Sequence, residues 1–254
     1  MSPAGERRAE LADRLAAVRA RIGAACAAAG RDESEVTLIA VTKTYPASDV
    51  LALASLGLAD FGENRDREAA PKAAEVSAGL PAVFPDAPRA VRWHFIGQLQ
   101  TNKARHVASY ADFVHSVDRV RLARALGTAA RAAGRELTCL VQVCLDPAPD
   151  SAGAGTDPGR GGAPPAMVAE VAEAIAAEQG LILGGLMAVA PLAVDPEAAF
   201  APLRQLSDVI RSVTPSATVV SAGMSGDLEA AIRNGATHLR IGTALLGDRR
   251  LPVR

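Results

Sequence analysis

Short apolar, β-branched runs recur down this chain, and between them lie stretches whose apolar residues repeat at helical spacing. Residues 36–41 (VTLIAV), 91–96, 113–116, 137–145, 182–189, 217–221 and 237–241 read as strands, with a very short one at 59–61. Residues 47–58, a polar stretch from about 65, and 101–110, 119–133, 165–178, 197–213 and 227–234 read as helices. Strands this apolar do not leave one face to water. Their alternation with helices predicts a parallel sheet covered by helices. About eight such units in about 220 residues suit a closed α/β structure, the (β/α)8 TIM barrel. An open doubly wound sheet is the alternative.

Ahead of the first strand, residues 5–30 form an amphipathic helix. Leu11, Leu15, Val18, Ile22 and Cys26 make its apolar stripe, and Gly30 suits its C-terminal end. One segment departs from the pattern. Residues 147–164 (PAPDSAGAGTDPGRGGAP) have no apolar period and read as a mobile loop after strand five. The glycines there lack the strand-turn-helix context of a dinucleotide fingerprint. Neither an internal repeat nor a second boundary is visible, so residues 1–254 read as one domain.

Composition excludes several function classes. The 254 residues carry a net charge of −1, without the basic excess that nucleic acid or an anionic membrane demands. Aromatics make up 3%, too few for base-stacking platforms. No apolar run approaches the ~20 residues of a membrane helix, and the charged N-terminus lacks a secretory core. Three cysteines, Cys26, Cys139 and Cys144, have no metal-ligand spacing and read as small buried hydrophobes, which fits a reducing cytoplasm.

In a barrel of this kind the chemistry gathers at the C-terminal ends of the strands. The first strand ends in Thr42-Lys43, which places a lysine where it can lose water and act as a nucleophilic amine. A solvated loop lysine is the plainer reading. The seventh ends in Ser221-Ala222-Gly223-Met224-Ser225-Gly226 and the eighth in Arg240-Ile241-Gly242-Thr243. Small residues with free backbone N–H groups at two adjacent strand ends can cradle a phosphate. An inward Arg240 needs a partner, either a ligand or a carboxylate. His94, His106, His115 and His238 show no metal-site spacing. His94 and His115 read as satisfied structural histidines near strand ends, and His106 as an exposed helix residue. Hydrolase-elbow, phosphate-loop and zincin motifs are absent.

The stretches LIAVTKTYP (38–46), FGENR (61–65), WHFIGQLQTNK (93–103), HSVD (115–118), GLMA (185–188), SAGMS (221–225) and RIGTALLG (240–247), in this order, resemble the pyridoxal-phosphate homeostasis proteins (YggS/PROSC-like). The likeness runs from about residue 7 to about 248. It implies a fold-type III barrel like that of alanine racemase, with pyridoxal 5′-phosphate (PLP, the vitamin B6 cofactor) held as a Schiff base on Lys43. It further implies that Ser221, Gly223, Met224, Ser225, Gly242 and Thr243 hold the phosphate, that Arg240 faces the pyridine nitrogen, and that Asn64 lies near the ring. Ala222 stands where the family usually has Met, which alters packing more than phosphate contact. The 147–164 segment is longer and richer in Gly and Pro than is usual there.

The function so implied is a cytoplasmic, monomeric PLP carrier without efficient catalysis, whose partners are PLP and PLP-dependent apo-enzymes. An amino-acid racemase or decarboxylase is the alternative. Against it, the chain ends soon after its last motif, without the C-terminal domain that supplies the opposite-face acid or base in alanine racemases. Another phosphate-binding barrel would leave Lys43 unexplained.

Overall fold

A computed structural model describes residues 2–83, 91–146, 161–192 and 194–247. Its sheet is a closed barrel of eight parallel strands in sequence order, β1 through β8. Helix α1 (Pro3–Ala28) precedes β1 (Thr37–Val41), and α2 (Ala47–Ser55) leads to β2 (Asp60–Glu63). Then come α3 (Asp66–Val83), β3 (Arg92–Phe95), α4 (Ala104–Ala108), β4 (Phe113–Val117), α5 (Val120–Ala133) and β5 (Leu137–Val143). The second half runs α6 (Val168–Ala176), β6 (Leu181–Ala188), α7 (Pro196–Phe200), α8 (Leu203–Val213), β7 (Val219–Ser221), α9 (Leu228–Arg233), β8 (His238–Ile241) and α10 (Thr243–Leu246). The TIM-barrel expectation holds and the open sheet does not, because β8 pairs back onto β1.

Two helical readings change. The stretch 197–213 is two helices, since Pro202 at the start of α8 has no N–H to continue α7. Residues 101–110 open with a 3-10 turn, Thr101–Lys103, before α4. The stripe on α1 is as read: Leu11, Leu15, Val18, Ile22 and Cys26 are all buried. Gly30 follows its end in a left-handed conformation, φ +66°. No helix among the described residues is long and apolar enough to cross a membrane.

The strands divide their residues between two environments. Ala40, Phe61, Trp93, Phe95, Val114, Cys139, Val141, Leu186, Val220, Leu239 and Ile241 join the helices in one continuous apolar layer. The alternate residues turn into the barrel, and there the lining is markedly polar: Asp60, His94, His115, Ser221 and Arg240 are all buried. This polar interior is where the site is built.

Part of the loop expected at 147–164 is packed. Residues 147–160 lie outside the described residues, but Ala163 is fully buried and bridges in parallel to Val143. The Ala163 N–H donates to the Gln142 carbonyl at 2.7 Å, and the Cys144 N–H to the Ala163 carbonyl at 2.9 Å. Backbone pairing needs no apolar period, which is why composition missed it. Gly162 allows the approach, since a Cβ there would stand 2.7 Å from the Cys144 nitrogen. Cys144 itself is half-buried, its thiol near Asp146, unlike the buried Cys26 and Cys139.

Gly184 and Gly185 form a bulge where the β5–β6 register shifts between Cys139 and Leu140. Gly185 has φ +147°, and a Cβ there would lie 1.9 Å from the Val219 carbonyl oxygen. Gly185→Ala should therefore cost about 3 kcal/mol or more, or abolish folding. Gly226→Ala, where nothing lies within 4 Å, should change stability by less than ~0.5 kcal/mol. Chemical denaturation of both checks this, and equal stabilities would refute the bulge constraint.

Candidate functional site

The predicted site residues all fall at the C-terminal ends of their strands or just beyond. Lys43 and Asn64 follow β1 and β2, Ser221 ends β7 with Gly223, Met224 and Ser225 after it, and Arg240 lies on β8 ahead of Gly242 and Thr243. The β7 and β8 loops meet, as the Ala244 N–H reaches the Ser225 hydroxyl at 3.4 Å.

Lys43 is half-buried in a turn whose two flanking peptides are pinned from α3. The Lys72 ammonium donates to the Thr42 carbonyl at 2.8 Å, and the Glu68 carboxylate accepts the Thr44 N–H. Thr44 sits at φ +71°, a conformation a β-branched residue rarely adopts, so the contacts that hold it offset a cost of about 1–3 kcal/mol. Beneath the turn, Lys72 also donates to Glu63 at 2.7 Å and to Glu68 at 2.9 Å, while the Thr42 hydroxyl donates to Glu63 at 2.7 Å. Lys72 is 6% exposed and Glu63 1%. Burial pushes the Glu63 carboxyl above its ordinary range, against the pull of Lys72 and Thr42. None of Lys72, Glu63 or Glu68 was singled out from sequence. The signal available was the i, i+4 Glu68–Lys72 pair in an otherwise unremarkable polar helix.

Arg240 is 5% exposed. Its guanidinium donates to the Ser221 carbonyl at 2.7 Å, the Ser221 hydroxyl at 2.8 Å and the Ala188 carbonyl at 2.9 Å. Among the described residues it forms no ion pair with a carboxylate. Burial alone drives its pKa down to about 10, still far above neutrality. Three of its five N–H groups are thus engaged, and two remain for a ligand.

The Ser221 hydroxyl is engaged inside the barrel. It lies fully buried in the barrel, bonded to Arg240 and to His115 Nδ1 at 3.0 Å. His115 Nε2 meets His94 Nδ1 at 2.9 Å, and His94 Nε2 meets Asp60 at 2.8 Å. Both histidines are therefore structural, as read. Gly223, φ +93°, accepts the Arg240 N–H on its carbonyl. The Met224 N–H is taken by the Asp227 side chain, and the Ser225 carbonyl by Arg21. His106 is exposed and bonded to Asp66.

Three buried polar atoms at the β2 and β4 ends, Glu63 Oε2, Asn64 Oδ1 and Ser116 Oγ, have no partner among the described residues. Asn64 and Ser116 lie at the same strand-end rim as Arg240 and Lys43, whereas Glu63 belongs to the ionic cluster beneath the Lys43 turn.

Two predictions follow from this geometry. Lys72→Met should destabilise by about 3–5 kcal/mol, because Glu63 is left as a buried carboxylate without its cation. Adding Glu63→Gln should recover much of that loss in urea titrations, and no recovery would show that Lys72 acts through packing alone. The second concerns pH. Burial lowers the pKa of His94 and His115 and brings His238 down to about 4. A histidine whose folded pKa lies below its unfolded value binds fewer protons when folded, so its stabilisation is present above the ordinary histidine range and lost as pH falls. Stability should decline as pH falls from about 6.5 toward 4, by up to ~1.4 kcal/mol per pH unit per histidine. His238→Asn should shallow that slope, and an unchanged slope would exclude His238 from it.

Residues 14–250 match the family described as alanine racemase, N-terminal domain. Proteins named pyridoxal phosphate homeostasis protein are similar over nearly the whole chain. That of Mycobacterium bovis is 43% identical over 252 residues, covering 97% of this chain and 95% of its own. That of Escherichia coli K12 is 35% identical, covering 94% and 97%. PipY of Synechococcus elongatus, solved with PLP bound, is 33% identical with a TM-score of 0.74 and covers 93% of this chain and 100% of its own. An alanine racemase from Corynebacterium glutamicum shares the fold, with a TM-score of 0.64 at 13% identity, and this chain spans 60% of it. By sequence and by fold, this chain belongs to the pyridoxal phosphate homeostasis proteins, which are built on the alanine racemase N-terminal domain.

Proposed function

We propose that this protein binds PLP at the C-terminal mouth of the barrel and keeps it in reserve without efficient turnover. The observation that carries this reading is the pairing, at adjoining strand ends, of a pinned lysine with a buried guanidinium that keeps two N–H groups unengaged. The orphaned Asn64 and Ser116 oxygens fit a polar ligand seated between them. Bound there, the cofactor supplies an aldehyde, which Lys43 would hold as a Schiff base, and a ring whose strength as an electron sink depends on protonation of its nitrogen.

The chain's own residues do the rest. Lys43 supplies the amine, with its turn fixed by Lys72 and Glu68. Arg240 would donate to the ring nitrogen without surrendering a proton, which keeps the ring a weak sink. Gly223, Met224, Ser225, Gly242 and Thr243 would surround the phosphate with backbone and hydroxyl donors, once Asp227 yields the Met224 N–H. Asn64 would sit beside the ring.

His94 and His115, the histidines nearest the strand ends, have both ring nitrogens bonded inside the barrel and are held neutral by burial, so neither offers a second acid or base. That favours a carrier over a racemase. On this reading residues 1–254 form one domain that works as a cytoplasmic monomer and delivers PLP to apo-enzymes.

The test combines covalent trapping with turnover. Protein mixed with PLP should gain visible absorbance, borohydride should fix the label on Lys43, and Lys43→Ala should lose both. Exchange of the α-proton of L- and D-amino acids should stay far below ~1 per second. Label on Lys103 or Lys72 would overturn the site, and rapid exchange with inversion would make the protein a racemase.

A further inference from the structure

Across the barrel interior runs an unbroken series of hydrogen bonds: Arg240 to Ser221 Oγ at 2.8 Å, Ser221 Oγ to His115 Nδ1 at 3.0 Å, His115 Nε2 to His94 Nδ1 at 2.9 Å, and His94 Nε2 to Asp60 Oδ1 at 2.8 Å. Asp60 lies at the N-terminal end of β2, at the opposite end of the barrel from Lys43. Its other oxygen accepts from Arg92 at 2.7 Å. Phe113 stacks on His94 with ring centroids 4.4 Å apart, which fixes that ring's plane.

The carboxylate end of the series fixes its direction. A guanidinium only donates, and an ionised carboxylate only accepts. Between them each neutral imidazole and the hydroxyl give one proton and accept one. Asp60 therefore takes the proton on His94 Nε2, which leaves Nδ1 bare. His94 Nδ1 takes the proton on His115 Nε2, and His115 Nδ1 takes the Ser221 hydroxyl proton. Ser221 is left with its lone pairs toward Arg240. Were the series reversed, the Asp60 carboxylate would face a bare nitrogen, which is repulsive in a medium of low dielectric. The ionisation states agree: against the upward push of burial, His94 and Arg92 hold Asp60 below the usual carboxylate range, and burial holds both imidazoles neutral.

We propose that Asp60, His94, His115 and Ser221 form a one-way proton-ordered chain that positions Arg240, with Asp60 setting its direction from the far end of the barrel. These four are positioning residues: none of them needs to touch a ligand. The proposal also relieves Ser221 of any part in phosphate binding, because its only proton is engaged with His115. The role assigned to Arg240 toward the pyridine nitrogen rests on the PLP reading above, while the chain itself does not.

The experiment is separable for that reason. Long-range 1H–15N correlation on cofactor-free protein with 15N-labelled histidine reads each tautomer directly. His94 and His115 should each show a protonated Nε2 and a bare Nδ1 at neutral pH. Asp60→Asn offers either an oxygen or an amino group to His94 and should mix or invert the tautomers of both rings. Ser221→Ala should leave the His94 tautomer unchanged and weaken PLP binding about tenfold, with a shifted spectrum of the bound cofactor, and Ser221→Thr should restore both. A protonated Nδ1 on His115 in the wild type overturns the proposal. So does an Asp60→Asn protein with unchanged tautomers. If Asp60→Asn does not fold, the wild-type tautomers and the Ser221 pair still decide. Expected tautomers in a protein that fails to bind PLP would sink the functional reading and leave the chain standing.

Discussion

A guanidinium is buried in this barrel with no carboxylate against it among the described residues, and much else in the structure answers to that charge. Transfer of such a group from water costs many kcal/mol unless dipoles replace the lost hydration. Here the replacements are two carbonyls and a hydroxyl from the ends of β6 and β7. They reach Arg240 only because Met187 is in register with Ser221, and Ser221 with His238. The bulge at Gly184 and Gly185 sits upstream in the same strand and adjusts the register that delivers Ala188. Small residues on β6 are thus tied to an electrostatic requirement at its far end.

Lys43 is held by different physics. Its turn is fixed by an ionic cluster reaching over from α3, where one lysine meets two carboxylates and a carbonyl. The β1–β2 half of the mouth is organised by full charges and the β7–β8 half by dipoles. The halves adjoin, because Ile39 on β1 is in register with Arg240 on β8. On the proposed reading, an amine beside a hydrogen-bond-donating guanidinium matches a ligand that carries both an electrophilic carbon and acceptor atoms.

Much of this was legible in the sequence because barrels have strict rules. Alternating apolar runs and amphipathic stretches predicted eight strands, and even the short β2 fell close to its expected place. The placement of Lys43, Arg240 and the two glycine-bearing loops at strand ends followed from the strand pattern alone. What escaped were residues whose roles arise from tertiary contact. Asp60 was not singled out, and although His94 and His115 read as satisfied histidines, their partners in one another, Asp60 and Ser221 could not be read from apolar strands. The bonds of Ser221 to His115 and Arg240 were not legible, because those partners are 106 and 19 residues away. Lys72 and Glu68 looked like solvated helix charges. The pairing of Ala163 with Val143 left no trace in composition, since a backbone ladder needs only a small residue able to approach.

That pairing has a consequence of its own. The chain leaves β5 at Cys144 and is stitched back to the same strand at Ala163, so its departure and return points are one place on the rim. Whatever length of polypeptide intervenes, the barrel presents the same two anchors to it. Inserted or deleted residues there alter a closure entropy that grows only with the logarithm of length, between two anchors that are already paired. Departure and return at one place on the rim of strand five make that place a natural point at which to splice in a reporter or a tether.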